Sequence, residues 1–467
     1  LSLKGEGDKG GEVNKQSQYH IIDLCGTPCY IKSGVADVKP FRGLRYNLEQ
    51  IGDLSAVMCP PHDVISAEEQ LLYYDKSPYN VIRLEFGKEH PEDSPEDNRY
   101  TRAALTLEDW LNQGMLTREE CPAFYLVEHR FPYEGAVKSC FSLIARVRLE
   151  DLSSGRIRPH EMTMKKPGED RLRLIKSCHA NFSPIMGLFR HLDEGVQSLF
   201  PDTINNPPLR AVDNYGVAYS MWVVTDEKTI ARVSKFFADK TLYIADGHHR
   251  YETALAYQQE QSTTHYTGEE AFNFVMMTLT AADDPNLIML PTHRLVRGLN
   301  PKMLAQLKEE WNPYFDEELL SPLADLSETL KGWTETLKEQ RGTTFGLYGL
   351  EGQRLCLLRA RPEMMLPVQP SVLGDLDVFI LHQVILRQML GIDSPEREED
   401  CLEYTRDALE ALSRVDTREY QLAFLLNPSP ISSVLAVADE GVRMPQKSTY
   451  FHPKTPAGLV INPLWDD

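Results

Sequence analysis

The sequence predicts an α+β fold, and three observations carry that prediction. Two β-rich runs, 123–129 and 140–148, bracket a Tyr133-Glu134-Gly135 turn and read as an antiparallel pair. Segments with helical apolar spacing alternate with such runs along the whole chain. No internal repeat is present, which excludes solenoid and propeller architectures.

Taken in order, 1–37 reads as a flexible N-terminal extension, polar and Gly-rich at its start and without the apolar stretch of a secretory signal. Residues 54–59 read as a short strand that stops at Pro60-Pro61, because two prolines cannot continue a sheet ladder. His62 to Ile65 then falls in a loop, and Ser66 with Glu69 has the spacing of a helix capping box. Residues 100–114 place Ala103, Leu105, Leu107, Trp110 and Leu111 in a helical pattern closed by Gly114. Strands are expected at 222–224, 242–245 and 272–279, with helices at 227–237 and 250–261. In the second half, 345–348, 355–358 and 423–426 read as strands and 379–390 as an apolar helix. We therefore divide the folded chain into a core over 38–295 and a mixed α/β C-terminal region over 296–467.

The 467 residues are 42% hydrophobic and 25% charged, the balance of a folded protein rather than a disordered one. Against 69 acidic residues stand 49 Lys and Arg, a net charge of −20 that argues against a duplex nucleic-acid reader. Small anionic ligands stay open, since a local site can be basic on an acidic protein. No apolar run is long enough to span a membrane. The eight cysteines are scattered, and Cys25 and Cys29 have no second pair at zinc-ligand spacing, so reduced thiols in a cytoplasmic protein are expected.

Chemistry concentrates in four segments. In Ala245-Asp246-Gly247-His248-His249-Arg250 an apolar strand ends where a helix begins, so the polar residues meet the unsatisfied N–H groups of a helix N-terminus. Gly247 permits close approach, His248, His249 and Arg250 offer donors, and Asp246 could take a metal or a proton. A capped turn with Asp246 as N-cap and solvated histidines is the alternative. The segment 160–171 gathers His160, Glu161, Thr163, Lys166 and Arg171; it lacks the HExxH spacing of zinc proteases because position 164 is Met. A mixed-charge surface loop explains it equally. His62 and Asp63 follow a stiffened double proline, and Lys447, Ser448 and Lys454 sit in a Pro-rich stretch that has no Gly-rich phosphate loop. Pro291-Thr292-His293-Arg294 is a weaker spot of the same kind.

Five boxes in order, Pro40-Phe41-Arg42-Gly43-Leu44-Arg45, 60–65, 160–171, 245–250 and 444–454, resemble the bacterial and archaeal family known as domain of unknown function 1015. A departure is His62, where Tyr is the commoner residue of that family. The 245–250 box is also similar to one in the ParB/sulfiredoxin superfamily, free serine kinases included, in which the loop and following helix cradle nucleotide phosphates. The resemblance implies a ParB/sulfiredoxin-like core and phosphoryl transfer from a nucleotide, ATP or ADP, to a small hydroxylated metabolite. On that reading Gly247, His248, His249 and Arg250 hold phosphates, Asp246 engages Mg2+, and Glu161, with His160 second, takes the acceptor proton. Lys166 and Arg171 would contact the transferred group; these roles of Glu161, His160, Lys166 and Arg171 are drawn from the clustering of polar residues alone. A nucleotide-binding switch without turnover and a phosphoester or nucleotide hydrolase remain alternatives.

Overall fold

Alternation with period two organises the two large sheets of the protein, whose computed structural model describes residues 36–163, 165–190, 195–261, 267–320, 326–340, 342–352, 354–361, 371–374 and 376–465. The expected extension thus lies outside the described residues, save its last two. Along strand Phe124–Tyr133, Tyr125 and Val127 enter one apolar core while Phe124 and Leu126 enter another on the opposite face. Its hairpin partner, Ala136–Arg148, turns back through Glu134 and Gly135, both at positive φ, as a tight two-residue hairpin requires. These two strands anchor a nine-stranded mixed sheet whose path is Ile157–Pro159, Leu242–Asp246, Ile185–Phe189, Phe274–Ala281, Ala136–Arg148, Phe124–Tyr133, Ala218–Val224 and Leu209–Val212, with Val38–Lys39 added to Ala136–Arg148.

A second, six-stranded antiparallel sheet runs Phe315–Leu319, Cys356–Ala360, Thr344–Tyr348, Leu422–Leu425, His293–Val296, Leu402–Thr405. It too separates two cores: Val296, Leu358 and Phe424 face one way, Leu295, Leu357 and Leu425 the other.

Helices follow local signals. Ser66 and Glu69 form the expected capping box on Ala67–Lys76, and Asp226 caps Glu227–Phe237. Helix Arg99–Asn112 buries Ala103, Leu107 and Trp110; Leu105, expected in that stripe, is 62% exposed, since it lies off the i, i+4, i+7 face. The apolar helix near 380 starts as an α-turn at Asp377–Ile380 and widens into a π-helix over Leu381–Met389.

Two sequence expectations need correction. Residues 54–59 are not a strand: Leu54–Ala56 is a single helical turn capped by Asp53, and Cys59 makes only an isolated bridge to Ala457. The Asp53 side chain, accepting from Ser55 N, gives the backbone a local alternative to a ladder. The chain's last stretch, grouped by sequence with the C-terminal region, returns to the core under the first sheet. There Leu459, Val460 and Ile461 are buried in the same core as Phe41 and Tyr125, and Asn462–Pro463 pairs with Ala180–Asn181. Burial of three consecutive large aliphatics from a loop-like segment outweighs its lack of periodicity. The six described cysteines are all unpaired, and among the described residues no helix is long and apolar enough to cross a membrane.

Candidate functional site

Strand Leu242–Asp246 pairs in parallel with Ile157–Pro159, with Ile244 opposite Pro159. Parallel neighbours end at the same sheet edge, so Asp246-Gly247 and His160-Glu161 emerge side by side where open sheets of this type place ligands. A third segment is stitched to them. Met444 N donates to His160 O at 2.7 Å, Met162 N donates to Met444 O at 3.1 Å, and 446–454 is thereby laid across the strand ends. The Cys59–Ala457 bridge brings in the fourth segment, the turn His62–Val64. His62, Asp63, Glu161, Asp246 to Arg250, Lys447, Thr449, Tyr450 and Lys454 line one cleft.

Gly247 has φ 88° and stands before helix His248–Gln261; a Cβ there would meet Arg250 Nε at 2.8 Å. The helix is fixed by Tyr251, fully buried, whose hydroxyl donates to Glu150 O at 2.8 Å. Its first turn faces the cleft and supplies the positive end of the helix dipole. His248 is buried, and its Nε2 accepts from His160 N at 3.3 Å; burial, then the neighbouring His160, holds its pKa well below the ordinary imidazole value. His249 borders the cleft, its pKa also lowered by burial.

Glu161 is the raised carboxylate of the cleft. Burial pushes its pKa up to about 7 against the hydrogen bond from Lys447 N, 2.7 Å from Oε1, and the charge of Asp246 adds to the rise. Its other oxygen lies 3.4 Å from Thr449 Oγ1. That hydroxyl is 2.9 Å from His160 Nε2, while His160 Nδ1 is 2.8 Å from Ile244 O. A carbonyl only accepts, so Nδ1 carries the proton and Thr449 donates to Nε2. Thr449 is then left to accept from Glu161 when that group is protonated. His160, expected as a second base, is therefore corrected: it is 1% exposed, both ring nitrogens are engaged, and burial lowers its pKa to about 4.

The opposite wall holds carboxylates paired with cations. Lys454 Nζ lies 2.5 Å from Asp246 Oδ1 and 3.2 Å from Asp63 Oδ2, and Arg250 Nη2 donates to Asp246 Oδ2 at 2.6 Å. Burial would raise the Asp63 carboxyl, but Lys454 and then His62 hold it well below the usual range. The Lys454 ammonium fills the place between two carboxylates that a divalent ion would take. Among the described residues no cluster of three or more His, Cys, Asp or Glu could hold a metal. Both oxygens of Asp246, the metal ligand that the sequence suggested, are thus engaged by Lys454 and Arg250.

Other expected residues take other places. Arg250 Nη1 donates to Ser183 Oγ at 3.1 Å and Pro184 O at 2.6 Å, so its fork is spent on the protein. Arg171 is buried and turned to Glu85 O, at 2.8 Å, and to Asp170. Ser448 points away from the cleft, its hydroxyl donating to Pro445 O at 2.6 Å. Thr163 is half-buried and does not line the cleft; the Lys166 side chain lies outside the described residues. Lys447, at φ 54°, is exposed on the cleft, and among the described residues its ammonium has no ion pair.

Sequence reading missed Glu85. Its Oε1 takes Ser183 Oγ at 2.8 Å and lies 3.3 Å from His62 Nδ1. Burial would raise its pKa, yet the His62 bond and then the Arg171 charge bring it down to about 2. The available signal was a lone acid in the apolar run 81–86. Arg294, only a weak candidate by sequence, is 1% exposed, and its Nη2 donates to Lys447 O at 3.0 Å, so the second sheet braces the Lys447 turn.

Residues 38–379 match the model of the family described as "Protein of unknown function (DUF1015)". Four of the five sequence boxes fall inside that range; 444–454 lies beyond it. No curated protein matched the chain. Among solved structures, a conserved hypothetical protein from Pyrococcus furiosus aligns at 14% identity over 68% of this chain and 93% of that one, TM-score 0.33. A free serine kinase in complex with AMP aligns at 13% identity, covering 66% and 86%, TM-score 0.32. SbnI with a C-terminal truncation, from Staphylococcus aureus, aligns at 11% over 69% and 87%, TM-score 0.33. Likeness at that level is too slight to assign this chain a fold or an activity.

Proposed function

The chain belongs to DUF1015, a family described as one of unknown function, and we propose that this member moves a phosphoryl group from a nucleotide, ATP or ADP, to the hydroxyl of a small metabolite. The observation that carries the reading is Glu161: a carboxylate with pKa about 7, fixed by Lys447 N, on the same cleft as the open N-terminus of helix His248–Gln261. A base poised near neutral pH beside an anion cradle is what transfer to a hydroxyl demands.

On this reading the transferring phosphate lies against Gly247, His248 and His249, with the unpaired Lys447 ammonium neutralising charge as it develops. Arg250 and Lys454 act from behind, holding Asp246 and with it the strand-to-helix turn. His62, oriented by Glu85, offers its Nε2 to the cleft. Glu161 takes the proton of the acceptor hydroxyl as the acceptor oxygen bonds to phosphorus. The bond to the leaving nucleotide oxygen breaks, and that oxygen keeps the electron pair. Thr449 and His160 are positioning residues that hold Glu161. Since two carboxylates already clamp Lys454, no step is assigned to Mg2+. A ParB/sulfiredoxin-like core is proposed for the sheet that carries the cleft, and cytoplasm for its setting.

The test is phosphoryl transfer from labelled ATP and ADP to a panel of hydroxy metabolites, free serine first. Phosphorylated acceptor supports the reading. Phosphate release independent of acceptor would replace it with hydrolysis, and tight nucleotide binding without product would replace it with a switch.

A further inference from the structure

Beyond Tyr450 and Lys454 the structure holds a second pocket, more apolar than the cleft. Val64, Tyr450 and Lys454 line both, so the two adjoin across a shared wall. Four prolines, Pro60, Pro61, Pro453 and Pro456, form rigid walls, and Tyr73 and Tyr219 add flat aromatic ones. The Tyr450 ring has the Arg406 guanidinium carbon 4.1 Å from its centroid and Lys454 Nζ at 4.8 Å. The exposed surface of this pocket is mostly apolar, although Lys76, Asp213, Asn214 and Arg406 also border it. Among the described residues, the hydroxyls of Tyr73 and Tyr450 and the imidazole of His452 make no hydrogen bond, and Phe131 fixes the His452 ring edge-on at 4.8 Å. Apolar flat walls with a few convergent polar groups are the make-up of a small-molecule site.

We propose that this pocket receives the nucleobase of the phosphoryl donor whose phosphates occupy the adjoining cleft, an assignment that rests on the phosphoryl-transfer reading. A planar heteroaromatic ring can bury its faces against proline and tyrosine while its edge meets the three unpartnered polar groups. The acceptor fits less well, because its hydroxyl must come within about 3 Å of Glu161, and Glu161 lines the cleft and not this pocket. Phosphates at Gly247 and a base beyond Tyr450 would lay the donor across the shared wall, leaving the Glu161 end for the acceptor.

The experiment is calorimetric titration of the full chain with ATP and with tripolyphosphate, which carries the phosphates without base or ribose. Two variants accompany the unmodified protein: Asn214→Trp, which fills the pocket from an exposed lining position, and Tyr73→Phe, which removes one edge-reading hydroxyl. Unmodified protein should bind ATP about tenfold or more tighter than tripolyphosphate. Asn214→Trp should abolish that surplus and Tyr73→Phe should cut it several-fold, while tripolyphosphate affinity stays unchanged in both. Equal affinity for the two ligands, or a surplus that both variants keep, would overturn the base pocket and leave the phosphate cleft standing. Failure of both ligands to bind would instead remove the phosphoryl-transfer reading, and the base pocket with it.

Discussion

The two walls of the cleft carry the same functional group in opposite states. On one, Asp63 and Asp246 are clamped by Lys454, with Arg250 on the second Asp246 oxygen, and Asp63 is held ionised. On the other, Glu161 has a backbone N–H and a threonine hydroxyl but, among the described residues, no ion-paired cation, and its pKa rises to about 7. What separates a structural carboxylate from a proton acceptor here is therefore where the cations sit, and not the carboxylates themselves.

That contrast can be broken first at Glu161. Glu161→Gln should cut phosphoryl transfer by about 10²–10⁴ while leaving ATP affinity nearly unchanged, measured by paired turnover and calorimetry. On the clamped wall the cost should instead be stability. Asp246→Asn leaves Arg250 and Lys454 short of a partner in a largely buried place and should destabilise by about 3 kcal/mol, read as a lower urea midpoint. Lys447→Ala removes the unpaired cation and should weaken tripolyphosphate binding by roughly 1.5–3 kcal/mol, with no comparable loss of stability. The smallest effect is expected at Thr449→Val, which breaks the link between His160 and Glu161. It should lower turnover roughly fivefold, the worth of about 1 kcal/mol, and move the midpoint of the pH–rate profile, which a merely structural change would leave in place.

The walls should also respond oppositely to pH. Glu161 has a folded pKa above its unfolded value, so the native state holds its proton more tightly. Its contribution to stability is full below about pH 4.5 and is lost as pH rises through about 7. Asp63, held low, contributes stability above its ordinary carboxylate value and loses it as pH falls. Turnover should rise through pH 7 as Glu161 ionises.

Much of the fold and part of this site were legible in the sequence because they are built at local chain signals. The strand that ends at Asp246-Gly247, the hairpin at Glu134-Gly135 and the Ser66–Glu69 capping box are each written within a few residues. What could not be read is long-range. The pairing of Lys454 with Asp63 and Asp246 joins segments far apart in the chain, and nothing in the 444–454 box announces it. Arg250 and Arg171 looked like phosphate ligands because charge near a helix start is ambiguous until their carboxylate and carbonyl partners are known. The return of 459–463 to the core under the first sheet was hidden for the same reason: a separate two-stranded pairing with Ala180–Asn181 leaves no periodic trace in two residues.

The most direct test of the contrast is the titration of Glu161 itself, needing neither acceptor nor product. Infrared difference spectra of the unmodified protein and of Glu161→Gln across pH 4–9 isolate that one carboxyl. A protonated-carboxyl band that is lost with a midpoint near pH 7 and is absent from the variant is the predicted result. A Glu161 carboxylate already fully ionised at pH 5 would contradict the account.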